Sequence, residues 1–481
     1  MSSFQFSQPI ELKEEVIKGF VVAGTTSGSG KTTIALGFLA ALTRRGHQVA
    51  PFKVGPDFID PGHHTRIAGA VSRNLDGWML SAAYNRDNFA THANVADVAV
   101  VEGVMGLFDG RDGKSEAGST AEMAKRLNLP VLLVVNARSM ARSAAALIQG
   151  FENFDQGLKF AGVLFNNVGS PRHLQYLIEA LENHVRMPCI GGIPRQTAIT
   201  IPERHLGLFT PADHTLSEDI IAQLADLIED NIDLDAFLRC LDDHHVVPVK
   251  KKESRFPAIK HTDRARIGVA RDNAFCFYYQ DNMDLLSAAG AQLVFFSPMK
   301  DTDLPAGLDG LYLGGGYPEL FALQLAQNQS IRDRIKWFSG AGMPIYGECG
   351  GMMYLGTAIT DLEGVRHPMT NCFPLETRML SRLKSLGYRE VRLIKDSILG
   401  TTDLTIRGHE FHYSEITAVH ESVETVYSVT GRADGHNFPE GYRMKSTLGS
   451  YVHLHFGSQT SVPSSFINSC LAYKHERKPV R

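Results

Sequence analysis

The sequence has little of what a secreted or membrane-spanning protein needs. Its six cysteines are scattered over 481 residues with no Cys-x-x-Cys pair, which argues against a disulfide framework and against a structural zinc site. Residues 1–19 lack the basic and apolar regions of a signal peptide. No apolar run approaches the ~18 residues that a membrane-spanning helix needs. We therefore expect a cytoplasmic protein without a membrane partner.

The sequence also lacks an excess of one charge sign. Its 48 Lys and Arg residues are matched by 52 Asp and Glu residues, for a net charge of −4. This balance argues against a nucleic-acid partner. Apolar residues make up 43% of the chain, enough to fill real cores. Glycine is the residue in excess: 44 of the 481 residues are glycine, more than the average usage of ~7% would give.

Short apolar segments of strand character alternate with helical segments in both halves of the chain. This alternation predicts parallel sheets covered by helices on both faces, that is, two doubly wound α/β domains. The predicted strands are Gly19–Ala23, Val49–Lys53, Val98–Val101, Val131–Val135 and Phe160–Phe165 in the first half, and Arg266–Ala270, Leu293–Phe296, Leu311–Leu313 and Pro344–Gly347 in the second.

A polar, charged, proline-bearing stretch separates the two series. It covers residues 242–265 and has no apolar periodicity, which is typical of an interdomain linker. At ~150 residues per domain, the length allows three domains or two large ones. We predict a first domain over 1–241, a linker over 242–265, a second domain over 266–470 and a basic tail over 471–481.

A glycine-rich loop follows the first predicted strand and opens a helix. It matches GxxxxxGKT, one residue longer than the usual spacing, because Thr25 stands where the first glycine would. The backbone N–H groups of such a loop and a lysine bind phosphates, and the hydroxyl after the lysine can ligate Mg²⁺. The alternative is a glycine-rich turn with an exposed lysine. The predicted nucleotide-binding residues are Gly24, Thr25, Thr26, Ser27, Gly28, Ser29, Gly30, Lys31, Thr32 and Thr33.

Three carboxylates follow neighbouring predicted strands. Asp57 and Asp60 come after the second strand and Glu102 after the third. Ligands of a doubly wound sheet lie beyond the carboxyl ends of its strands, so we predict Thr32, Asp57 and Glu102 as Mg²⁺ ligands. The alternative is that the carboxylates cap turns or helices. The adjacent histidines at 63 and 64 are more typical of surface or hydrogen-bonded residues than of a metal site.

A Gly-x-Cys-x-Gly sequence follows a predicted strand of the second domain. Small neighbours permit the sharp strand-to-helix turn that exposes a nucleophile, and a helix N-terminus is expected to lower the thiol pKa. We predict Cys349 as the nucleophile, with the N–H groups of Gly350 and of Gly315, in the turn Gly314–Gly316, as oxyanion donors. The alternative is that this cysteine is a small buried apolar residue.

A cysteine nucleophile needs a base, and His453 lies about a hundred residues downstream in Gly449–Phe456. In a strand, His453 and His455 would share one face. His-x-His is also a zinc-binding spacing, so zinc is the rival interpretation. No third ligand stands out, which favours catalysis by Cys349 and His453.

Taken together, these motifs resemble known enzymes. The GxxxxxGKT loop resembles that of dethiobiotin synthetase, and the cysteine–histidine domain resembles class I glutamine amidotransferases. Their fusion in this order resembles the cobyrinic acid a,c-diamide synthase family, from Phe20 to about Phe466. The segments that carry this resemblance are Phe52–His64, Ser72–Leu80, Val101–Gly110, Pro202–Leu208, Ala274–Asn282, Leu311–Leu320 and Gly449–Phe456.

The resemblance implies a glutamine-hydrolysing carbon–nitrogen ligase of cobalamin biosynthesis. Residues 1–241 would be the ATP-binding synthetase domain and 266–470 the amidotransferase domain. ATP with Mg²⁺ would phosphorylate the a and c acetate carboxylates of cobyrinate, with Asp57, Asp60 and Glu102 in the acyl-phosphate step. Glutamine would be hydrolysed through a thioester at Cys349, with His453 as base, and its ammonia would pass to the acyl phosphate. The partners implied are the corrinoid ring, L-glutamine and ATP, and a homodimer is compatible with this interpretation.

The chain departs from the family pattern at two positions. In many class I amidotransferases Pro-Glu follows the histidine, whereas Leu454-His455 follows it here, which leaves the orienting group of His453 unassigned. Asn136 stands where the family often has Asp. Two alternatives stay open: the same chemistry on hydrogenobyrinate or Ni-sirohydrochlorin, and a scaffolding P-loop ATPase with a degenerate amidotransferase module.

Overall fold

The computed structural model describes residues 17–195, 216–243, 264–431 and 436–477. The described residues before 244 belong to one compact unit, the N-terminal unit, and those from 264 onwards belong to a second, the C-terminal unit. The predicted linker falls almost wholly outside the described residues, as does the segment Pro202–Leu208. The domain boundaries at 241 and 266 therefore stay predictions.

The N-terminal unit is built on a seven-stranded sheet in the order β3-β2-β4-β1-β5-β6-β7, whose neighbouring strands all pair in parallel. All five strands predicted for this half are present. The strands β3 and β7 were not predicted, because β3 has only three residues and β7 is interrupted by two glycines. The strands are β1 Gly19–Gly24, β2 Val49–Val54, β3 Arg73–Leu75, β4 Val98–Glu102, β5 Val131–Asn136, β6 Phe160–Val168 and β7 Cys189–Pro194.

Helices cover both faces of this sheet. The first helix is buried along ten of its fourteen residues because it packs against the sheet and against the seventh helix. The rings of Phe20, Phe38 and Phe237 meet there, with centroids 4.9–5.3 Å apart. The helices are α1 Lys31–Arg44, α2 Ile59–Ala68, α3 Ala82–Ala93, α4 Thr120–Leu127, α5 Ser143–Phe154, α6 Pro171–Leu181, α7 Glu218–Glu229 and α8 Leu234–Cys240, followed by a 3-10 turn at Leu241–Asp243.

The C-terminal unit has a ten-stranded mixed sheet in the order β21-β16-β15-β18-β19-β20-β11-β10-β8-β9. The run from β20 to β9 is parallel, as predicted, and the remaining strands pair antiparallel. A four-stranded sheet, β13-β12-β14-β17, packs beside it. The strands are β8 Ala265–Ala270, β9 Ala291–Phe296, β10 Gly310–Leu313, β11 Ile345–Glu348, β12 Ala358–Thr360, β13 Arg366–Pro368, β14 Leu375–Met379, β15 Ser385–Leu393, β16 Thr405–His412, β17 Ser414–Val419, β18 Glu424–Thr430, β19 Asn437–Met444, β20 Thr447–Ser450 and β21 Val452–Leu454.

The last helix extends past the predicted end of the second domain. Residues 471–476, predicted as part of a basic tail, instead complete α13. Two basic residues hold the end of this helix: Lys474 donates to the carbonyl of Arg264 and Arg477 pairs with the buried Asp309, 2.8 Å away. The helices of this unit are α9 Gln280–Ala288, α10 Ala322–Gln327, α11 Gln329–Gly340, α12 Gly350–Leu355 and α13 Ser461–Glu476, with a 3-10 turn at Phe456–Ser458.

Within the described ranges, every helix is too short or too polar to cross a lipid bilayer.

Candidate functional site

The glycine-rich loop lies between β1 and α1, where the sequence placed it. Gly28 and Gly30 have φ angles of 76° and 99°, which side-chain-bearing residues rarely adopt. A Cβ on Gly24 would lie 2.0 Å from Ser29 Oγ, so the loop can close over this position only if it is glycine. The ammonium of Lys31 donates to the carbonyl of Thr26, 3.2 Å away. The loop thus has the curled shape that presents backbone N–H groups to phosphate.

The carboxyl ends of β1, β2 and β4 bring three of the predicted residues together. Thr32 Oγ1 donates to Glu102 Oε1 over 2.6 Å. The ammonium of Lys53 lies 2.7 Å from the same oxygen and 2.6 Å from Asp60 Oδ2. Asp57 is close by, but its Oδ1 accepts the N–H of Ile59 at the entry to α2, 3.0 Å away, which matches the alternative of a turn carboxylate.

Lys53 and His64 belong to this cluster, although the sequence pattern gave neither of them a role there. Lys53 is buried in β2, and His64 Nε2 lies 2.7 Å from Glu102 Oε2 while its Nδ1 faces Ser72 Oγ at 3.2 Å. His64 is therefore a buried, hydrogen-bonded histidine, which agrees with the interpretation of the adjacent histidines as surface or hydrogen-bonded residues. The signal for Lys53 was available, because it is the single charged residue of the buried strand VAPFKV.

The cluster is held in its charged state by its own contacts. Burial works to raise the pKa of Asp60, but Lys53 holds it well below its ordinary value. Burial and Asp60 oppose ionisation of Glu102, and Lys53 with the hydrogen bond from His64 still lowers its pKa. Burial opposes the charge on Lys53, but Glu102 and Asp60 raise its pKa. Burial lowers the pKa of Lys31.

The oxygen atoms of this cluster fit a magnesium nucleotide. Thr32 and Glu102 offer adjacent hard oxygens, the type that Mg²⁺ prefers. In the described part of the chain, no three His, Cys, Asp or Glu side chains are grouped so as to hold a metal ion by themselves. A Mg²⁺ here would therefore take its other ligands from phosphate and water, which is its usual arrangement in phosphoryl-transfer sites.

The cysteine lies on a strained turn between β11 and α12. Cys349 has φ 46° and ψ −105°, the kind of conformation that a nucleophile elbow imposes. Its glycine neighbours are required by space: a Cβ on Gly350 would lie 2.7 Å from Pro318 Cδ, and one on Gly351 would lie 2.1 Å from Leu313 O. The sequence pattern thus folds into the predicted elbow.

The turn Gly314–Gly316 lies against the elbow. Leu313 pairs with Gly347 in the parallel ladder, so the turn follows directly at the same sheet edge. A Cβ on Gly315 would lie 2.3 Å from His453 Cε1, which places the predicted base against the predicted oxyanion turn. The carbonyl of Gly315 accepts the N–H groups of Cys276 and Phe277, which fixes the turn. These contacts support one site built from the cysteine, the histidine and the glycine turn.

The two histidines of the His-x-His sequence have different surroundings. His453 lies in β21 opposite His409 of β16. His455 lies past the strand, where its Nδ1 accepts the N–H of Gly457 and its ring lies 4.7 Å from that of Tyr279. The zinc alternative gains no support, because no three His, Cys, Asp or Glu side chains of the described residues are grouped so as to hold a metal ion.

Burial sets the protonation states at the thiol. It raises the pKa of Cys349 well above its ordinary value, so the expectation that the helix N-terminus would lower it was wrong for this structure. Burial also lowers the pKa of His453 to about 3, with His409 and His412 adding to the effect and Glu410 opposing it. The site therefore holds a thiol and a neutral imidazole at neutral pH. In such a site the imidazole takes the proton as the sulfur attacks.

A buried carboxyl directly before the cysteine was not predicted as part of the site. Glu348 accepts hydrogen bonds from the hydroxyls of Tyr312 and Tyr346, each over 2.8 Å, and from the N–H of Leu454 over 3.1 Å. Burial raises its pKa to about 7, although the tyrosine hydrogen bonds oppose this shift. No sequence pattern marks these partners, which lie 36, 2 and 106 positions away.

Comparison with known proteins covers both units. Residues 20–209 match the family model of the CobQ/CobB/MinD/ParA nucleotide binding domain, and residues 266–461 match that of the CobB/CobQ-like glutamine amidotransferase domain. Curated relatives that bear the name cobyrinate a,c-diamide synthase match nearly the whole chain. The relative from Syntrophotalea carbinolica is 46% identical, in an alignment that covers 94% of this chain and 98% of the relative. The relative from Synechocystis sp. is 42% identical, in an alignment that covers 94% of this chain and 94% of the relative. The relative from Methanosarcina barkeri is 40% identical, in an alignment that covers 96% of this chain and 98% of the relative. The chain therefore belongs to the cobyrinate a,c-diamide synthase family, as its motifs predicted.

Proposed function

We propose that the protein converts the a and c acetate carboxylates of cobyrinate to amides in cobalamin biosynthesis, using ATP and glutamine, and that it works in the cytoplasm. The observation that carries this proposal is the match of nearly the whole chain to relatives of that name. The two sites supply the two halves of the chemistry: a phosphate loop with a carboxylate cluster, and a cysteine elbow with a histidine.

The N-terminal site would activate the ring carboxylate. The carboxylate oxygen attacks the γ-phosphorus of ATP and ADP leaves, which forms an acyl phosphate. Lys31 and the loop N–H groups stabilise the phosphate charge. Thr32 and Glu102 would hold Mg²⁺, which neutralises phosphate charge when bound. Lys53 keeps Asp60 and Glu102 ionised beside the reacting groups.

The C-terminal site would release ammonia. His453 accepts the thiol proton as Cys349 attacks the side-chain amide of glutamine, and the N–H groups of Gly315 and Gly350 would stabilise the oxyanion. The proton returns to the leaving ammonia, and water then hydrolyses the thioester to glutamate. Ammonia attacks the acyl phosphate and phosphate leaves, which completes the amide.

The test supplies the purified protein with ATP, Mg²⁺ and either glutamine or ammonium, on cobyrinate, hydrogenobyrinate and Ni-sirohydrochlorin in parallel. We expect the diamide of cobyrinate by mass spectrometry, with release of ADP and glutamate. Cys349→Ala should lose the glutamine-driven reaction and keep the ammonia-driven one. Faster turnover of either other ring would correct the substrate, whereas ATP hydrolysis with no amidated ring under any condition would favour the scaffolding ATPase.

A further inference from the structure

We propose that Glu348 and Asn282 are positioning residues that hold His453 against the turn Gly314–Gly316, beside the cysteine elbow, through the backbone of Leu454. This inference rests on the proposed glutamine hydrolysis. It addresses the departure from the common Pro-Glu sequence after the histidine, which left His453 without an assigned orienting group.

The chain order makes Glu348 a bridge between the two reacting residues. Glu348 immediately precedes Cys349 at the end of β11, and Leu454 immediately follows His453 at the end of β21. The hydrogen bond from Leu454 N to Glu348 Oε1 is 3.1 Å long and lies in the interior. One side chain therefore connects the segment that carries the nucleophile to the segment that carries the base.

The sheet links the elbow to the chain on only one side of His453. Ser450 of β20 pairs with Glu348 of β11, and its carbonyl accepts the N–H of Cys349 over 2.7 Å. β21 begins two residues later, at Val452, and its own ladder pairs it with β16 over three residue pairs. The hydrogen bond from Leu454 to Glu348 therefore supplies a second link to the elbow, on the other side of His453 from Ser450.

Asn282 holds the other polar atom of the same backbone unit. Its Nδ2 donates to the carbonyl of Leu454 over 2.8 Å, and its Oδ1 accepts the N–H of Phe456 over 2.8 Å. Asn282 is fully buried and Glu348 is 1% exposed. The residue after His453 is therefore fixed at both its N–H and its carbonyl by side chains of two other elements.

The bridge is itself rigid. Tyr312 and Tyr346 donate to the two oxygens of Glu348, and their stacked rings lie 5.4 Å apart. A carboxylate with three donors around it has one favourable orientation, and buried groups held in this way give the precision that a reacting pair requires.

The test measures glutamate release by the full-length protein at saturating ATP and cobyrinate. Glu348→Ala removes the oxygen that accepts the N–H of Leu454, and Glu348→Asp shortens the side chain that carries this oxygen. We expect both to lower kcat for glutamine by about 100-fold, since a misplacement near 1 Å costs about that much, with KM for glutamine changed by less than about threefold. Glu348→Gln keeps an acceptor of the same length and should recover activity to within about tenfold of wild type.

The control is Asp309→Asn, another buried carboxylate of the same unit. Asp309 accepts the N–H of Arg266 and pairs with Arg477 at the amino end of β10, away from the thiol. It should lower the melting temperature and leave kcat for glutamine unchanged. Ammonia-driven amidation should be normal in every variant.

The outcomes separate this inference from the proposed function. Wild-type protein that releases no glutamate contradicts the proposed function. If wild-type protein releases glutamate, a Glu348→Ala variant that folds and has a normal kcat overturns the positioning role. If Glu348→Ala does not fold, a normal kcat in Glu348→Asp overturns it. A rise in KM with kcat unchanged would also overturn it, because that would make Glu348 part of glutamine binding.

Discussion

The two sites occupy equivalent places, beyond the carboxyl ends of parallel strands, and treat their buried carboxyl groups in opposite ways. Glu102 shares its oxygens with an ammonium, a hydroxyl and an imidazole, and its pKa is held below the ordinary value. Glu348 is surrounded by neutral tyrosine hydroxyls and a backbone N–H, and burial raises its pKa to about 7. Both side chains are 1% exposed. Burial alone therefore does not decide the charge of a carboxyl group, and a cationic neighbour does.

This difference suits the two halves of the proposed reaction. A site for a polyphosphate and a metal needs fixed charges of both signs, which the cluster around Lys53 provides. A site that attacks a neutral amide benefits from a thiol and an imidazole that stay uncharged until the substrate arrives, as burial of Cys349 and His453 ensures.

The largest effect is expected from the phosphate site. Lys31→Ala removes the charge that the loop presents to phosphate and should lower both glutamine-driven and ammonia-driven amidation by about 10³-fold. Basal glutamate release should persist, because the thiol site has its own residues. If glutamate release fell as much as amidation does, the two sites would not work as the comparison describes. ADP, glutamate and amide are assayed in the same reaction.

Next in size is the loss of the cation that keeps Asp60 and Glu102 charged. Lys53→Met leaves two buried carboxylates without their ammonium and should lower the free energy of unfolding by about 3 kcal/mol, the scale for a broken buried pair. Lys125→Met is the matched control, since Lys125 pairs with Glu116 and Asp155 near the surface and should cost about 1 kcal/mol or less. Equal costs in urea unfolding would show that burial of the cluster does not matter.

The sequence was informative where a role depends on local pattern. The parallel strands, the loop Gly24–Thr33 and the elbow at Cys349 were predictable because apolar runs and closely spaced glycines determine them. It was uninformative where a role depends on distant partners. Lys53 acts through Glu102, 49 positions away, and Glu348 acts through Leu454, 106 positions away. The thiol pKa was mispredicted for the same reason: the helix N-terminus is visible in the sequence, and the burial that outweighs it is not.

A smaller effect should follow from crowding the thiol site. Gly315→Ala places a Cβ 2.3 Å from His453 Cε1, so the imidazole must move, and kcat for glutamine should fall by about 10²-fold. Gly340→Ala is the control, because nothing lies within 4 Å of a Cβ there. Ammonia-driven amidation should be unaffected in both. A normal glutaminase rate in Gly315→Ala would place the working position of His453 away from the glycine turn.

The smallest effect concerns pH, and the buried carboxyl groups of the two units should respond with opposite sign. Glu348 and Glu440 have pKa values raised to about 7 by burial. Their protonated forms therefore contribute to the free energy of unfolding in full below the ordinary pKa of 4.5, and this contribution is lost as pH rises towards 7. Asp60 and Glu102 have lowered pKa values, so their contribution is present above the ordinary range and is lost as pH falls below it.

The chain's two tryptophans permit a separate reading of each unit. Trp78 lies in the N-terminal unit and Trp337 in the C-terminal one, so Trp337→Phe leaves fluorescence that reports the first and Trp78→Phe leaves fluorescence that reports the second. Between pH 5 and 7, burial of neutral His453 and His455 adds stability to the C-terminal unit as pH rises, whereas ionisation of Glu348 removes it. The effect of Glu348 is therefore measured as the difference between wild type and Glu348→Gln, which cannot ionise at this position. From pH 5 to 7 the melting temperature of the C-terminal unit in wild type should fall by a few degrees relative to that in Glu348→Gln, at about 2–4 °C per kcal/mol, while the N-terminal units of the two proteins should not diverge. If the difference between the two proteins does not change with pH, Glu348 does not ionise in this range, and the contrast between the two sites would have to rest on their cations alone.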